Sequence, residues 1–159
     1  MEEREFRRLY DTHSRSLYNY ILWLTRNRRA GEDILQTVFV KLWKHRPRPD
    51  ESENIEGWLF RVAHNACLDH FRRCRRFSKF RLRYARENDT ASSQRLPGKD
   101  VWEILTVLSE KEGSVLYLHM RMGYSYKEIG AMLDMSENNV RVKAFRALKR
   151  LRKEYAGKL

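Results

Sequence analysis

Residues 125–151 are the most informative part of this chain, and they read SYKEIGAMLDMSENNVRVKAFRALKRL. The spacing of apolar residues predicts two helices joined by a tight turn, the first with Ile129 and Leu133 on its inner face. Each helix begins at a capping residue. Ser125 is followed three positions later by Glu128, as in a capping box, and Ser136 precedes the second helix.

The second of these helices is predicted to have one apolar stripe and one cationic face. The apolar stripe contains Val140, Ala144, Leu148 and Leu151, and the cationic face contains Arg141, Lys143, Arg146, Lys149 and Arg150. Asp134 falls in the turn, where a left-handed residue is expected and where Asp is tolerated better than most. This arrangement is typical of a helix that enters a DNA major groove. The alternative is a surface helix with a solvated charge run, and the two capped starts together with the basic outer face make it the less favoured interpretation.

Positive charge is concentrated in the middle and at the end of the chain, which has 159 residues and a net charge of +12. Residues 1–58 carry eleven Lys and Arg against ten Asp and Glu, residues 59–98 carry ten against three, and residues 99–159 carry twelve against eight. Localised positive charge favours a polyanionic partner, with nucleic acid the first candidate and a membrane surface the second.

The sequence also predicts the compartment and the absence of a metal site. No apolar run approaches the roughly 18 residues that span a bilayer, and the first residues do not resemble a signal peptide, so we expect a cytoplasmic protein. Cys67 and Cys74 lie seven positions apart on one predicted helix, roughly 10 Å along its axis, too far for a disulfide. We expect both to be small core residues, and we expect no metal or cofactor, because no Cys or His pair has ligand spacing.

Apolar residues recur every three to four positions along nearly the whole chain, which predicts an all-α fold. Three helices are expected in the first half, at about 3–27, 34–43 and 58–74. Residues 87–98 are small and polar and end in Pro-Gly, a composition typical of linkers. A helix from residue 101 and another capped by Ser109 and Glu112 should follow. The prediction is two small helical domains joined by a flexible linker, the second with a helix-turn-helix.

Three blocks, in order along the chain, resemble the extracytoplasmic-function (ECF) sigma factors, the small bacterial sigma factors built from region 2, a linker and region 4. Residues 31–43 are similar to region 2.2, with matches at Asp33, Gln36, Phe39 and Trp43. Residues 58–73 are similar to regions 2.3 and 2.4, with matches at Trp58, Arg61, Asn65, Asp69, Arg72 and Arg73. The capped helix pair at 125–151 resembles region 4.2.

The resemblance implies a protein that is not an enzyme and that gives core RNA polymerase its promoter specificity. It implies region 2 at 1–86, a linker at 87–98 and region 4 at 99–159. The implied partners are core polymerase, through the clamp helices of its largest subunit and its flap, then promoter DNA, then an anti-sigma factor wedged between the two domains. It implies no catalytic residue, no small-molecule substrate and no cofactor.

The resemblance also assigns residues to each task. Docking on polymerase is assigned to Glu32, Asp33, Gln36 and Phe39. Contact with the −10 element and the DNA backbone is assigned to Arg61, Asn65, Arg72, Arg73, Arg75 and Arg76, and capture of a flipped base to the loop at 46–56. Recognition of the −35 element is assigned to Arg141, Val142, Lys143, Phe145 and Arg146. Among these, Lys143 is expected to contact phosphate alone. We expect Asn65 to be partly buried, where it either ties helix to loop or contacts DNA.

Two other classes of protein are weighed against a sigma factor. A helix-turn-helix repressor or activator would use the N-terminal helices for dimerisation or ligand binding and would need no polymerase. The amphipathic block at 58–73, with its basic end, argues against it. An enzyme such as a nuclease is suggested only by scattered histidines with no ligand or acid/base spacing, at His13, His45, His64, His70 and His119.

Overall fold

The computed structural model describes residues 1–45, 54–84 (the backbone alone from 78) and 107–156, and every regular element in these ranges is helical. The first half contains α1 (Glu3–Thr25), α2 (Arg28–Lys44) and α3 (Ile55–Tyr84). The second half contains α4 (Glu110–Leu116), a π-helical turn that continues it (Tyr117–Arg121), α5 (Tyr126–Leu133) and α6 (Glu137–Tyr155). The all-α prediction is confirmed. The linker at 87–98, most of the loop at 46–56 and the helix expected from residue 101 lie outside the described residues.

The first two helices are separated by a sharp, locally capped turn. α1 ends at Thr25, two residues earlier than predicted, because Arg26 adopts a left-handed conformation with φ 54°. Asn27 then caps α2, and its side-chain oxygen accepts a hydrogen bond from the backbone N–H of Ala30 at 3.1 Å. Asn in this position satisfies one of the free N–H groups at a helix start. The turn makes α1 and α2 antiparallel neighbours.

The core of the first half lies between α1, α2 and α3. Its side chains are fully buried and include Leu17, Ile21, Val38, Leu42, Leu59 and Phe60. Burial of one such side chain stabilises a fold by about 1.5–3 kcal/mol. Buried residues of the second half, including Val115, Leu118, Ile129 and Val140, belong to the same contiguous apolar cluster. The described parts of the two halves therefore pack against each other, while the domain boundaries stay a prediction.

The two cysteines differ in burial, although both were expected to be core residues. Cys67 is fully buried, and its burial raises the pKa of the thiol to about 12. Cys74 is exposed, so the expectation that it is a core residue is wrong. Both lie on one face of α3, but seven residues advance the helix by about 10 Å, and all side chains from Arg72 to Phe77 are exposed. Among the described side chains of α3, the apolar core therefore ends before Arg72.

Candidate nucleic-acid and docking surfaces

The helix-turn-helix formed by α5 and α6 has the predicted caps. The Ser125 hydroxyl accepts a hydrogen bond from the N–H of Glu128 at 3.1 Å, and the Glu128 carboxylate accepts one from the N–H of Ser125 at 2.8 Å. The Ser136 hydroxyl accepts from the N–H of Asn139 at 3.1 Å. Asp134 is left-handed, with φ 55° and ψ 52°. Each start and the turn between them are thus encoded locally.

Gly130 allows the close approach of α5 to the turn, which the sequence reading missed. A Cβ atom at this position would lie 2.5 Å from the carbonyl oxygen of Met135. The backbone N–H of Met135 also donates to the carbonyl of Gly130 at 2.8 Å. A glycine four residues before the left-handed Asp134 was the available signal, since glycine inside a helix is otherwise unfavourable.

The outer face of α6 is exposed near its start, as predicted. Arg141, Phe145 and Arg146 are exposed, and Phe145 keeps 67% of its surface accessible. Val142 and Lys143 are half-buried at the edge of this face. On the opposite side the buried residues are Val140, Ala144 and Ala147, whereas Leu148 and Leu151 are only partly buried. We call Arg141, Val142, Lys143, Phe145 and Arg146 the α6 face.

A second cationic surface lies on α3 at residues 72–76. Its members are Arg72, Arg73, Arg75 and Arg76, all of them exposed. Arg72 pairs with Asp69 at 3.2 Å, and Arg75 pairs with Glu110 at the start of α4. Arg73 and the half-buried His70 line a groove beside the start of α2. Desolvation and the charge of Arg73 lower the pKa of His70, which favours the neutral imidazole.

Arg61 is exposed, but its side chain also contacts the second half of the chain. Its guanidinium donates to the carbonyl oxygen of Ala131 at 2.5 Å and to that of Met132 at 3.4 Å. Both carbonyls belong to the last turn of α5, where a helix has unpaired acceptors and a partial negative charge. A residue assigned to the −10 element therefore contacts the second half of the chain in this structure.

Further contacts between the two halves combine aromatic rings with hydrogen bonds. The indole N–H of Trp23 donates to the carbonyl of Gly113 at 3.0 Å, and the hydroxyl of Tyr124 donates to the Glu56 carboxylate. The ring of Tyr117 lies 5.4 Å from that of Trp23 and 5.5 Å from that of Tyr20. Together with the Arg61 contact, these define what we call the seam.

His64 is a buried polar residue of α3, whereas Asn65 is exposed. The expectation of partial burial for Asn65 is wrong, because position 64 continues the inward stripe of Phe60 and Cys67. The hydroxyls of Tyr20 and Ser114 lie 3.0 and 3.2 Å from His64 Nδ1. Burial, assisted by the charge of Lys111, lowers the pKa of His64 to about 4. The neutral imidazole is therefore the form that contacts Ser114 of the second half.

The exposed face of α2 agrees with the predicted docking surface at three positions and differs at the fourth. Glu32, Asp33 and Gln36 are exposed. Phe39 is 4% exposed and packs on Tyr10 with ring centroids 4.7 Å apart, so its assignment to a docking contact is corrected. Phe39 supports the surface from beneath.

Two exposed apolar residues extend that surface. Val40 and Trp43 keep 50% and 48% of their surface accessible. With Asp33 and Gln36 they follow the spacing 33, 36, 40 and 43, which places all four on one side of a helix. That spacing was visible in the sequence. We call these four residues the α2 face.

Two features are absent from the described part of the chain. None of its helices is long and apolar enough to cross a membrane. Within the same residues, no three His, Cys, Asp or Glu side chains come together as metal ligands.

Each half of the chain matches the model of a known protein family. The model of sigma-70 region 2 matches residues 9–77, and the model of sigma-70 region 4 matches residues 99–151. SigX of Bacillus subtilis, an ECF RNA polymerase sigma factor, is 28% identical over 95% of this chain and 84% of its own length. SigM of the same organism is 27% identical over 92% and 93%, and CarQ of Myxococcus xanthus, an RNA polymerase sigma factor, is 27% identical over 97% and 90%.

Two solved structures share the fold. The sigma factor RpoE from Bartonella quintana, in complex with the anti-sigma factor NepR, has a TM-score of 0.78 and 20% identity, covering 94% of this chain and 96% of the other. CnrH, in complex with the cytosolic domain of CnrY, has a TM-score of 0.73 and 23% identity, covering 99% and 92%. The similarity extends over the helices of both halves.

Proposed function

This chain is an RNA polymerase sigma factor of the ECF class of the sigma-70 family, and we propose that three of its helices divide the work of promoter recognition. In this proposal α6 reads the −35 element, residues 72–76 of α3 bind the −10 region, and α2 docks on core polymerase. The observation that carries the proposal is the exposed, cationic start of α6. A turn joins this helix to α5, and both helices have an N-cap.

The α6 face supplies different kinds of DNA contact. Arg141 and Arg146 are exposed, and an arginine can donate two hydrogen bonds to the O6 and N7 atoms of guanine, worth about 1–3 kcal/mol in discrimination. Phe145 offers an exposed ring for apolar contact with a thymine methyl group. Lys143 and Val142 are half-buried at the edge of the face, and we assign Lys143 to a phosphate.

The exposed arginines of α3 are suited to the DNA backbone. Arg72, Arg73, Arg75 and Arg76 occur within five residues on successive turns, so they can meet several phosphates at once. Asn65, exposed on the same helix, is assigned to DNA contact, because its side chain is not buried against a loop. The base-capturing role proposed for the loop at 46–56 rests on the resemblance alone.

Two arginines that the proposal assigns to DNA also contact the second half of the chain. Arg61 and Arg75 both contact residues of the second half in the protein without DNA. A guanidinium that donates to the carbonyls of α5 cannot donate the same hydrogen bonds to DNA. We therefore propose that the two halves separate when the chain binds polymerase and promoter.

The proposed partners follow from these surfaces and from the relatives. The α2 face would meet the clamp helices of the largest polymerase subunit, and the second half would meet the flap. RpoE and CnrH were each solved in a complex, RpoE with an anti-sigma factor, and we propose that an anti-sigma factor also binds this chain. Acting on polymerase, the protein would be cytoplasmic, and it would regulate transcription without a catalytic step, cofactor or small-molecule substrate.

Gel shift with and without core polymerase tests the proposal against a helix-turn-helix repressor. We expect weak binding of promoter duplex by the chain alone and specific binding in the presence of core enzyme. Tight, specific binding of a symmetric duplex site without polymerase would contradict the proposal, because a repressor needs no second protein.

A further inference from the structure

A stack of side chains from three segments of the second half runs up to Arg141. His119, on the π-helical turn, lies against Tyr126 with ring centroids 4.5 Å apart and planes inclined by 32°. The guanidinium carbon of Arg141 lies 5.9 Å from the centre of the Tyr126 ring. The imidazole is itself fixed, because its Nδ1–H donates to the carbonyl oxygen of Tyr124 at 2.8 Å.

Arg141 is held from a second side within α6. Glu137, one turn earlier, lies 3.4 Å from an Arg141 Nη atom. Both members of this pair are exposed, and an exposed pair alone fixes a long side chain poorly, because water and salt screen it. The ring of Tyr126 also restricts where the guanidinium points, because the cation is attracted to the centre of the ring face.

We propose that Tyr126 is a positioning residue that presents the Arg141 guanidinium to the −35 element. Tyr126 is the first residue of α5 and does not belong to the α6 face. Its half-buried ring limits the conformations of Arg141 before DNA arrives, so less conformational entropy is lost when two hydrogen bonds form to one base. The ring, and not the hydroxyl, carries this role.

This inference rests on the proposed reading of the −35 element by Arg141. The test uses the complete chain with core polymerase and a set of promoters that differ at single −35 positions. Tyr126→Leu and Tyr126→Met remove the ring and keep apolar bulk, Tyr126→Phe keeps the ring, and Arg141→Ala identifies the base pair that Arg141 reads. A thermal melt of each variant reports folding.

We expect Leu and Met at position 126 to lower discrimination at that base pair about two- to fivefold, which corresponds to about 0.5–1 kcal/mol of cation–π attraction. Tyr126→Phe should keep the wild-type preference, and Tyr126→Leu should add nothing to Arg141→Ala. Discrimination at the other −35 positions should not change.

The positioning role is overturned by an equal loss in Tyr126→Phe, by an equal loss at every −35 position, or by the same loss with Arg141 already removed. If Arg141→Ala changes the preference and neither Tyr126→Leu nor Tyr126→Met does, the positioning role alone fails. If Arg141→Ala itself leaves every preference unchanged, base reading by Arg141 fails, and this inference fails with it.

Discussion

The Arg61 guanidinium donates a hydrogen bond to the carbonyl oxygen of Ala131 at 2.5 Å, between residues 70 positions apart in the chain. The contact joins α3, assigned to the −10 region, to the last turn of α5, which supports the −35 reader. It is favourable because a cation meets the negative end of a helix. In the proposed function the same guanidinium contacts DNA, so promoter binding and the seam would compete for one side chain.

The seam should contribute measurably to stability in the free protein. Trp23→Phe removes the indole N–H that donates to the Gly113 carbonyl, which also accepts the backbone N–H of Tyr117. We expect a loss of about 0.5–1.5 kcal/mol in the free energy of unfolding, the usual net contribution of one hydrogen bond. Trp43→Phe, at an exposed position with no comparable hydrogen bond among those described, is the matched control. Equal melts for both variants and wild type would mean that the seam is not populated in solution.

His64 should make stability depend on pH. Its pKa in the folded chain is about 4, below the usual 6.5, because burial disfavours the charged imidazole. The unfolded chain therefore binds more protons between these values, and stability falls as pH drops from about 6.5 to about 4, by up to about 3 kcal/mol.

Urea unfolding at several pH values measures this slope. His64→Gln should flatten it, because an amide does not titrate, while His45→Gln, at an exposed position, should keep the wild-type slope. A slope that survives in His64→Gln would assign the pH dependence to other groups.

The fold was predictable wherever one local pattern determined it. Ser125, Asp134 and Ser136 each act on the backbone next to them, and the structure has all three as expected. Phe39 and Asn65 were misassigned because exposure depends on how helices pack. A resemblance aligns positions without saying which side of the helix is covered. Cys74 was misplaced because periodicity gives the face of a helix but not the point at which its partner helices end.

The seam itself was not predictable from the sequence. Arg61 and Ala131 have no pattern that pairs them, since contacts between distant segments depend on tertiary packing and not on local spacing. His64 offered one signal: a polar residue on an otherwise apolar stripe needs a partner when buried. That partner, Ser114 of the other half, could not be named without coordinates.

Gly130 should be essential to the helix-turn-helix. Gly130→Ala places a Cβ atom 2.5 Å from the Met135 carbonyl oxygen, which forces the backbone of the turn to move. Such overpacking costs about 1–3 kcal/mol, and α6 should lose its orientation. Gly113→Ala is the matched helical control, because its nearest contact would be an ordinary 3.7 Å to the Trp23 indole nitrogen. The free energy of unfolding and the affinity for the −35 element are measured for both variants. Equal values for the two would contradict the close approach of α5 to the turn at Gly130.

The α2 face should matter for polymerase and not for folding. Asp33→Arg reverses an exposed charge without opening a cavity, so stability should change by no more than about 0.5 kcal/mol. A reversed charge within an interface can cost several kcal/mol, and we expect affinity for core enzyme to fall at least tenfold. Glu154→Arg, an equal reversal at the exposed end of α6, is the control. Unchanged core binding with an unchanged melt would show that α2 docks elsewhere or not at all.

The most direct test of the account is transcription by core polymerase with this chain over a library of promoters varied in the −35 element. We expect promoter-specific transcripts that require the chain. Arg141→Ala and Arg146→Ala should each relax the preference at one or two base pairs by about 1–3 kcal/mol. Lys143→Ala should weaken binding nearly uniformly and lower the salt slope by about one unit. Transcripts that do not depend on the chain, or −35 preferences identical in all three variants and wild type, would contradict promoter reading by α6.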